Sequence, residues 1–264
     1  MEERDRIRVH CVKGVKTMMN GNVIIFIKQL ENMIKNYEKY PGFSEVLYFS
    51  DEQMQKYKEM EGKGETENIS VILNDSVSAA VNETKESDKV LLLNFANHFS
   101  KGGGVRRGAQ AQEEDICRHT TLYGSLINDK AESYYNIPIK KPEDEYLGDD
   151  AVLISPKVYV PTGESFAVLT SAAPYFDEMI HADYQKIFEE RIDAFLSLAE
   201  YQGYETLVLG AYGCGAFGND PEMVANAFKK GLKKYRFNKV VFAIKENRTG
   251  ISLNYMTFRN VFDS

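Results

Sequence analysis

Strand-length apolar runs alternate along this chain with stretches whose apolar positions recur every three or four residues. Val23, Phe26, Ile27, Leu30, Met33, Ile34 and Tyr37 mark one face of a first helix, which Pro41-Gly42 stops. A second helix is expected from Ser50, with Gln53 completing a capping box, to about Met60. The polar segment from Glu61 to Asn68 reads as a connector. After it the spacing predicts strands at Ile69–Leu73 and Val90–Phe95, with a helical Val77–Val81 between them. Ile116, Thr120, Tyr123 and Ile127 predict one helical face, followed by a tyrosine-bearing insert from Asn128 to Asp150. Strands at Ala151–Val160 and Phe166–Thr170 are joined by Pro161-Thr-Gly163. A helix over Ala182–Tyr201, a strand at Thr206–Gly210, a helix over Pro221–Tyr235 and a strand at Val240–Ile244 complete the pattern. Such alternation gives an α/β layered fold with a largely parallel or mixed sheet, whose ligands gather in loops beyond the carboxyl ends of strands.

Two glycine loops occupy that kind of position. Gly102-Gly-Gly104 follows the run Val90–Phe95, and seven residues separate it from Gln112-Glu113-Glu114 at a helix start. A strand, a loop without side chains to block approach, then carboxylates is a way to build a site for a large polar ligand. Acidic capping of an ordinary helix is the plainer reading, and the fixed order behind a buried strand favours the functional one. The second loop, Gly213-Cys-Gly215-Ala-Phe-Gly218, matches a dinucleotide fingerprint in form. Only 46 residues follow Gly218, and Arg236 to Lys239 stand where an acidic residue would hold a ribose, which disfavours an oxidoreductase. Closely spaced glycines still let backbone N–H groups point at a diphosphate; a tight strand-to-helix turn is the alternative. Asp220 and Pro221 supply an N-cap and a first helical residue beyond it.

Glu113 and Glu114 are neighbours, so on a helix their side chains diverge by about 100° and do not flank a bond as a glycosidase pair does. If the site cleaves a glycosidic bond, one carboxyl transfers the proton and the other positions substrate, and a bound diphosphate is a candidate for activating water. His98 and His119 flank the loop, and Cys214 is either a thiolate nucleophile or a small residue tolerated between glycines. Arg106 and Arg107 either meet phosphates or are solvated. Tyr134, Tyr135, Tyr175 and Phe217 either stack on a ligand or pack in the core.

Composition narrows the partners. The 264 residues carry a net charge of −7 with dispersed basic residues, so extended nucleic acid is not expected. No apolar run approaches membrane-span length, the first residues are charged rather than signal-like, and three cysteines (Cys11, Cys117, Cys214) lack metal spacing. A reduced, cytoplasmic protein is the expectation.

Asn94-Phe-Ala-Asn97, Gly102-Gly-Gly104 and Gln112-Glu-Glu114 resemble the signature of poly(ADP-ribose) glycohydrolases, which carry a macrodomain fold. Arg118-His-Thr-Thr-Leu-Tyr123, Thr170-Ser-Ala-Ala-Pro174 and Gly210–Gly218 look like the microbial-type branch. The resemblance spans about Ile69 to Ile244. It implies a macrodomain-like three-layer α/β/α core over 69–264 with a central mixed sheet, and an N-terminal helical extension over 1–68 packed on it. It further implies hydrolysis of the ribose–ribose O-glycosidic bond of an ADP-ribose polymer, without metal or cofactor. By it Glu114 is the acid and Glu113 holds ribose hydroxyls. Asn97, Gly102, Gly103, Gly104, Val105 and Gln112 belong to the ribose side; Gly213, Cys214, Gly215, Ala216 and Phe217 wrap the diphosphate. Lys101 and Tyr175 stand where microbial members often have proline and asparagine, which leaves ADP-ribosylated protein as an alternative substrate, and a reader without turnover as an alternative function.

Overall fold

The computed structural model describes residues 21–136, 139–246, 250 and 252–263. The charged N-terminus and Cys11 lie outside these residues, as does the Tyr37 side chain. Helix α1 spans Gly21–Lys35 and buries Val23, Phe26, Leu30 and Met33, four positions of the periodic stripe. Strand β1 (Leu47–Phe49) precedes α2 (Asp51–Lys58), where Ser50 and Gln53 form both bonds of the capping box. Strand β2 (Ile69–Leu73), α3 (Ser76–Glu83) and β3 (Val90–Phe95) follow, and the Asp75 side chain caps α3.

The single helix expected through Ile116 and Ile127 is two: α4 (Gln112–His119) and α5 (Leu122–Leu126). The break has a local cause. Thr120 is extended at φ −137°, and its hydroxyl bonds back to the Ile116 carbonyl. Thr121 exchanges two hydrogen bonds of 2.9 Å with Tyr159, one from its amide and one to its hydroxyl. Pairing with a strand end draws the backbone out of the helix, as threonine side chains allow.

The insert holds short helices α6 (Glu132–Tyr135) and α7 (Asp144–Leu147). Then come β4 (Val152–Tyr159), β5 (Ser165–Ser171), α8 (Tyr184–Tyr201), β6 (Thr206–Leu209), α9 (Pro221–Leu232), β7 (Lys239–Ile244) and α10 (Leu253–Phe262). Strand β1 and helix α10 have no counterpart in the sequence pattern as read above.

The seven strands form one sheet in the order β1-β4-β5-β3-β6-β7-β2. β4 is antiparallel to both β1 and β5, and the remaining pairs are parallel, so the sheet is mixed. Alternation along β3 divides the core: Val90 and Leu92 join the cluster under α1, α3, α4 and α5, whereas Leu91 and Leu93 join the one under α8, α9 and α10. Helices therefore cover both faces. Residues 21–68 contribute to each layer: α1 to one face, Met54 of α2 to the other, and β1 to the sheet edge. β3, β5, β6, β7 and β2 run in one direction, and the loops that leave their carboxyl ends converge at one end of the sheet.

Candidate active site

The first glycine loop is a cradle for the two glutamates. Gly103 has φ +57°, and a Cβ there would lie 2.4 Å from Glu114 Oε1 and 3.0 Å from Glu113 Oε2. No side chain fits between the loop and the carboxylates. The Gly104 amide donates to Glu114 Oε1 at 2.7 Å, and the Asn97 amide donates to Glu113 Oε2 at 2.9 Å. The Asn94 side-chain amide reaches Glu113 Oε1 at 3.4 Å. The Gly103 and Val105 amides close turns onto the Ser100 and Gly102 carbonyls. The amides of this loop thus serve the carboxylates and the loop itself.

Both glutamates are buried. Burial raises the Glu113 carboxyl from an ordinary 4.5 to about 8; the bonds from Asn97, Asn94 and Gly102 pull the other way, and the Glu114 charge adds to the rise. Both Glu113 oxygens have donors, whereas Glu114 Oε2 is buried without a partner.

The other expected ribose-side residues divide by role. Gln112 acts as a staple: its side chain accepts from the Phe95 amide at 2.9 Å and donates to the Leu93 carbonyl at 2.7 Å, extending the β3 ladder to the start of α4. Asn97 uses its side-chain oxygen to accept the Phe99 and Ser100 amides. The Val105 side chain is wholly enclosed in the core. The Asn22 side chain of α1 donates to the Gly108 carbonyl, so the N-terminal helix buttresses this loop.

The second loop presents its backbone differently. Gly213 and Gly218 have φ of +74° and +72°. The Asn219 side chain binds the Gly213 and Pro174 carbonyls and holds the turn. Among the described residues the Gly215, Ala216 and Phe217 amides have no acceptor. Three successive unpaired donors in a turn make an anion-binding concavity. Burial, with a smaller contribution from Asp220, pushes the Cys214 thiol up to about 12, and its Sγ lies 3.5 Å from the Tyr212 carbonyl. That sets aside a thiolate nucleophile.

A cavity of about 320 Å³ opens beside this loop, lined by Gln112, Gly213, Gly215, Ala216 and Phe217 of the expected set. Asn74, Asp75, Lys245 and Asn254 also line it, none of them marked by a motif, and the Asn254 side chain donates to the Cys214 carbonyl at 3.4 Å. Lys245 also pairs with Asp115 at 2.7 Å. His98 is buried and neutral, held down to about 3 by burial and by the Arg191 charge, and Gly148 lies against its ring. His119 is exposed and bound to Asp115, which raises its pKa. His98 lines a smaller hollow with both ring nitrogens unpartnered, whereas the His119 ring is turned to Asp115. Among the described residues no group of three or more His, Cys, Asp or Glu is gathered as metal ligands would be.

A mixed sheet between two helical layers, with a phosphate-type turn after one strand and a carboxylate pair after its neighbour, is a macrodomain-like catalytic fold. The family model described as microbial-type PARG, catalytic domain, matches residues 7–161. The chain belongs to that family, the catalytic domain of microbial-type poly(ADP-ribose) glycohydrolases, and is a hydrolase of glycosidic bonds. Among solved structures it is similar to the poly(ADP-ribose) glycohydrolase of Thermomonospora curvata bound to the inhibitor ADP-HPD. Identity is 26%, the TM-score is 0.79, and the match covers 91% of this chain and 98% of that one. It is also similar to the poly(ADP-ribose) glycohydrolase of Deinococcus radiodurans in complex with ADP-ribose. There identity is 26%, the TM-score is 0.71, and 94% and 99% of the two chains are covered. Comparison with curated protein sequences finds no match.

Proposed function

We propose that this chain cleaves the ribose–ribose O-glycosidic bond of poly(ADP-ribose) with Glu114 as general acid, releasing ADP-ribose. The observation that carries the assignment is the asymmetry of the pair. Glu114 is fixed through one oxygen by the Gly104 amide and has its second oxygen unpartnered, while both oxygens of Glu113 are engaged. The unengaged oxygen protonates the leaving ribose oxygen as that oxygen separates from the anomeric carbon. Water bonds the same carbon and gives up a proton, so the net change is addition of one water. Glu113 holds hydroxyls of the distal ribose.

The amides of Gly215, Ala216 and Phe217 receive the diphosphate, and the adenosine end extends toward Asp75, Lys245 and Asn254. The two carboxyls lie together at Gly103, so a diphosphate that approaches one acts on the other as well. Its negative charge favours their protonated forms, which sets up the acid in the complex. The same diphosphate positions the attacking water. The segment through residue 68 serves this core by supporting the first loop, as the bond from Asn22 to Gly108 suggests.

The test is to incubate the protein and Glu114→Gln with poly(ADP-ribose) and with mono-ADP-ribosylated protein. Release of ADP-ribose from polymer by the wild type, lost at least 10²-fold in the variant while ADP-ribose still binds, is the expected result. Binding without release by the wild type refutes the hydrolase assignment. Release that survives in the variant refutes the role of Glu114.

A further inference from the structure

The glycine loop that cradles the glutamates returns to α4 at a second place. Beyond Gly104 the chain makes one short 3₁₀ turn, Val105–Arg107, and closes on itself. The Arg107 and Ala109 amides both donate to the Gly104 carbonyl, at 2.8 and 3.2 Å. The ends of the turn touch, since a Cβ on Gly104 would lie 2.7 Å from that of Ala109. Gly104 is therefore held on both sides, by its carbonyl to the turn and by its amide to Glu114 Oε1.

Arg118 fastens this turn to the helix. Its guanidinium donates to the Ala109 carbonyl at 2.5 Å, and the residue is only 5% exposed. Arg118 and Glu114 are four positions apart on α4, so they share a face of the helix. Asp115 stands 3.5 Å from the other terminal nitrogen of the guanidinium and is itself paired with Lys245 at 2.7 Å. A buried guanidinium with a carbonyl on one nitrogen and a carboxylate beside another keeps a fixed plane. Arg118 lines a hollow between α1 and α4, together with Lys28 and Asn32. Among the described residues it is not part of the wall of the main cavity, so its charge serves the loop.

We propose that Arg118 is a positioning residue for the proton transfer: through Ala109 and Gly104 it fixes the Glu114 oxygen that the loop holds, and so aims the oxygen that has no partner. The inference rests on the reading of Glu114 as the acid. The bonds run from the Arg118 guanidinium to the Ala109 carbonyl, from the Ala109 amide to the Gly104 carbonyl, and from the Gly104 amide to Glu114. They start and end on one helix, and a ring closed on a rigid element has little slack. Without the guanidinium the turn swings on its amide bonds and carries the carboxylate with it. A reacting group displaced by about 1 Å loses on the order of 10²-fold in rate. The Asn22 side chain still holds the neighbouring Gly108 carbonyl, so the turn keeps one anchor when Arg118 is removed.

The experiment compares Arg118→Ala and Arg118→Lys with the wild type, each also in the Glu114→Gln background. The readouts are kcat and KM on poly(ADP-ribose), the Kd for ADP-ribose by calorimetry, and amide hydrogen exchange at Gly104. Arg118→Ala should lower kcat about 10- to 100-fold, with KM and the Kd for ADP-ribose changed less than about threefold. Exchange at Gly104 should quicken while that of strand β6 stays as in the wild type. Arg118→Lys keeps one charged donor but not the fork, and should recover part of the lost kcat. Added to Glu114→Gln, Arg118→Ala should cost less than about twofold more, because it acts through that carboxylate. An unchanged kcat overturns the proposal. So does an equal loss in ADP-ribose affinity, which would make Arg118 a ligand contact, and so does a full further loss on top of Glu114→Gln. If Glu114→Gln alone keeps its activity, the reading of Glu114 as the acid falls by itself, and exchange at Gly104 still decides whether Arg118 fastens the loop.

Discussion

Replacing Glu113 by glutamine should stabilise the protein in a pH-dependent way. Burial raises the Glu113 carboxyl from 4.5 to about 8, so between these values the folded chain keeps a proton that the unfolded chain has lost. Stability then falls as pH rises, because the folded state binds more protons. At about 1.4 kcal/mol per pH unit the full window corresponds to about 5 kcal/mol, and the interval from pH 5 to pH 7 to roughly 2–3 kcal/mol. His98 has the opposite slope: its folded pKa of about 3 lies below the ordinary 6.5, so its contribution is present above that value and lost as pH falls. Subtracting the variant from the wild type removes the histidine term. Glutamine keeps the shape and cannot ionise, and a turn of the Asn94 amide, whose N–H₂ now faces Glu113, brings its unpaired Oδ1 to the new N–H₂. The gap in Tm between variant and wild type should therefore widen by about 5–10 °C between pH 5 and pH 7, at about 2–4 °C per kcal/mol for a chain of this size. Thermal denaturation in a series of buffers measures it. A gap that stays constant across that range would show that Glu113 ionises as freely when folded as when unfolded, and the reasoning would be wrong.

Other perturbations probe the same geometry. Gly103→Ala places a methyl 2.4 Å from Glu114 Oε1 on left-handed backbone, so kcat should drop at least 10²-fold with about 1–3 kcal/mol of stability lost; normal turnover would refute the cradle. Gln112→Leu strands the Phe95 amide and the Leu93 carbonyl, costing about 1–3 kcal/mol, and hydrogen exchange at Phe95 should accelerate. Cys214→Ala should keep kcat within about threefold at pH 7, since a thiol pushed up to about 12 is not a nucleophile there; loss of burst or turnover would contradict that.

Much of the scaffold was legible because strand-length apolar runs have one interpretation when both sheet faces are covered. Ile69–Leu73 and Val90–Phe95 coincide with β2 and β3, and the capping box at Ser50 opens α2. What escaped was set by partners distant in sequence. The break between α4 and α5 depends on Tyr159, 38 residues beyond Thr121, which no local periodicity contains. Strand β1 is three residues long and exists by pairing with β4. For the site, chain order pointed to the glutamates, but not to which oxygen each loop amide would hold. Gln112 lines the main cavity, and nothing in the chain order showed that its side chain also completes a strand ladder. Asp75 and Lys245 carried no motif, and they meet only because β2 and β7 are neighbours.

The two glycine loops do different work, and that separation has a practical reach. The first turns its amides inward to hold carboxylates, while the second leaves three amides unpaired, and they follow the adjacent strands β3 and β6. The two loops are built by separate sets of hydrogen bonds, one strand spacing of about 5 Å apart. On the proposed assignment, a single change at Glu114 removes the acid and leaves the amides of the second loop in place. On that assignment the Glu114→Gln variant would serve as an affinity reagent for ADP-ribose ends, one side chain away from the enzyme.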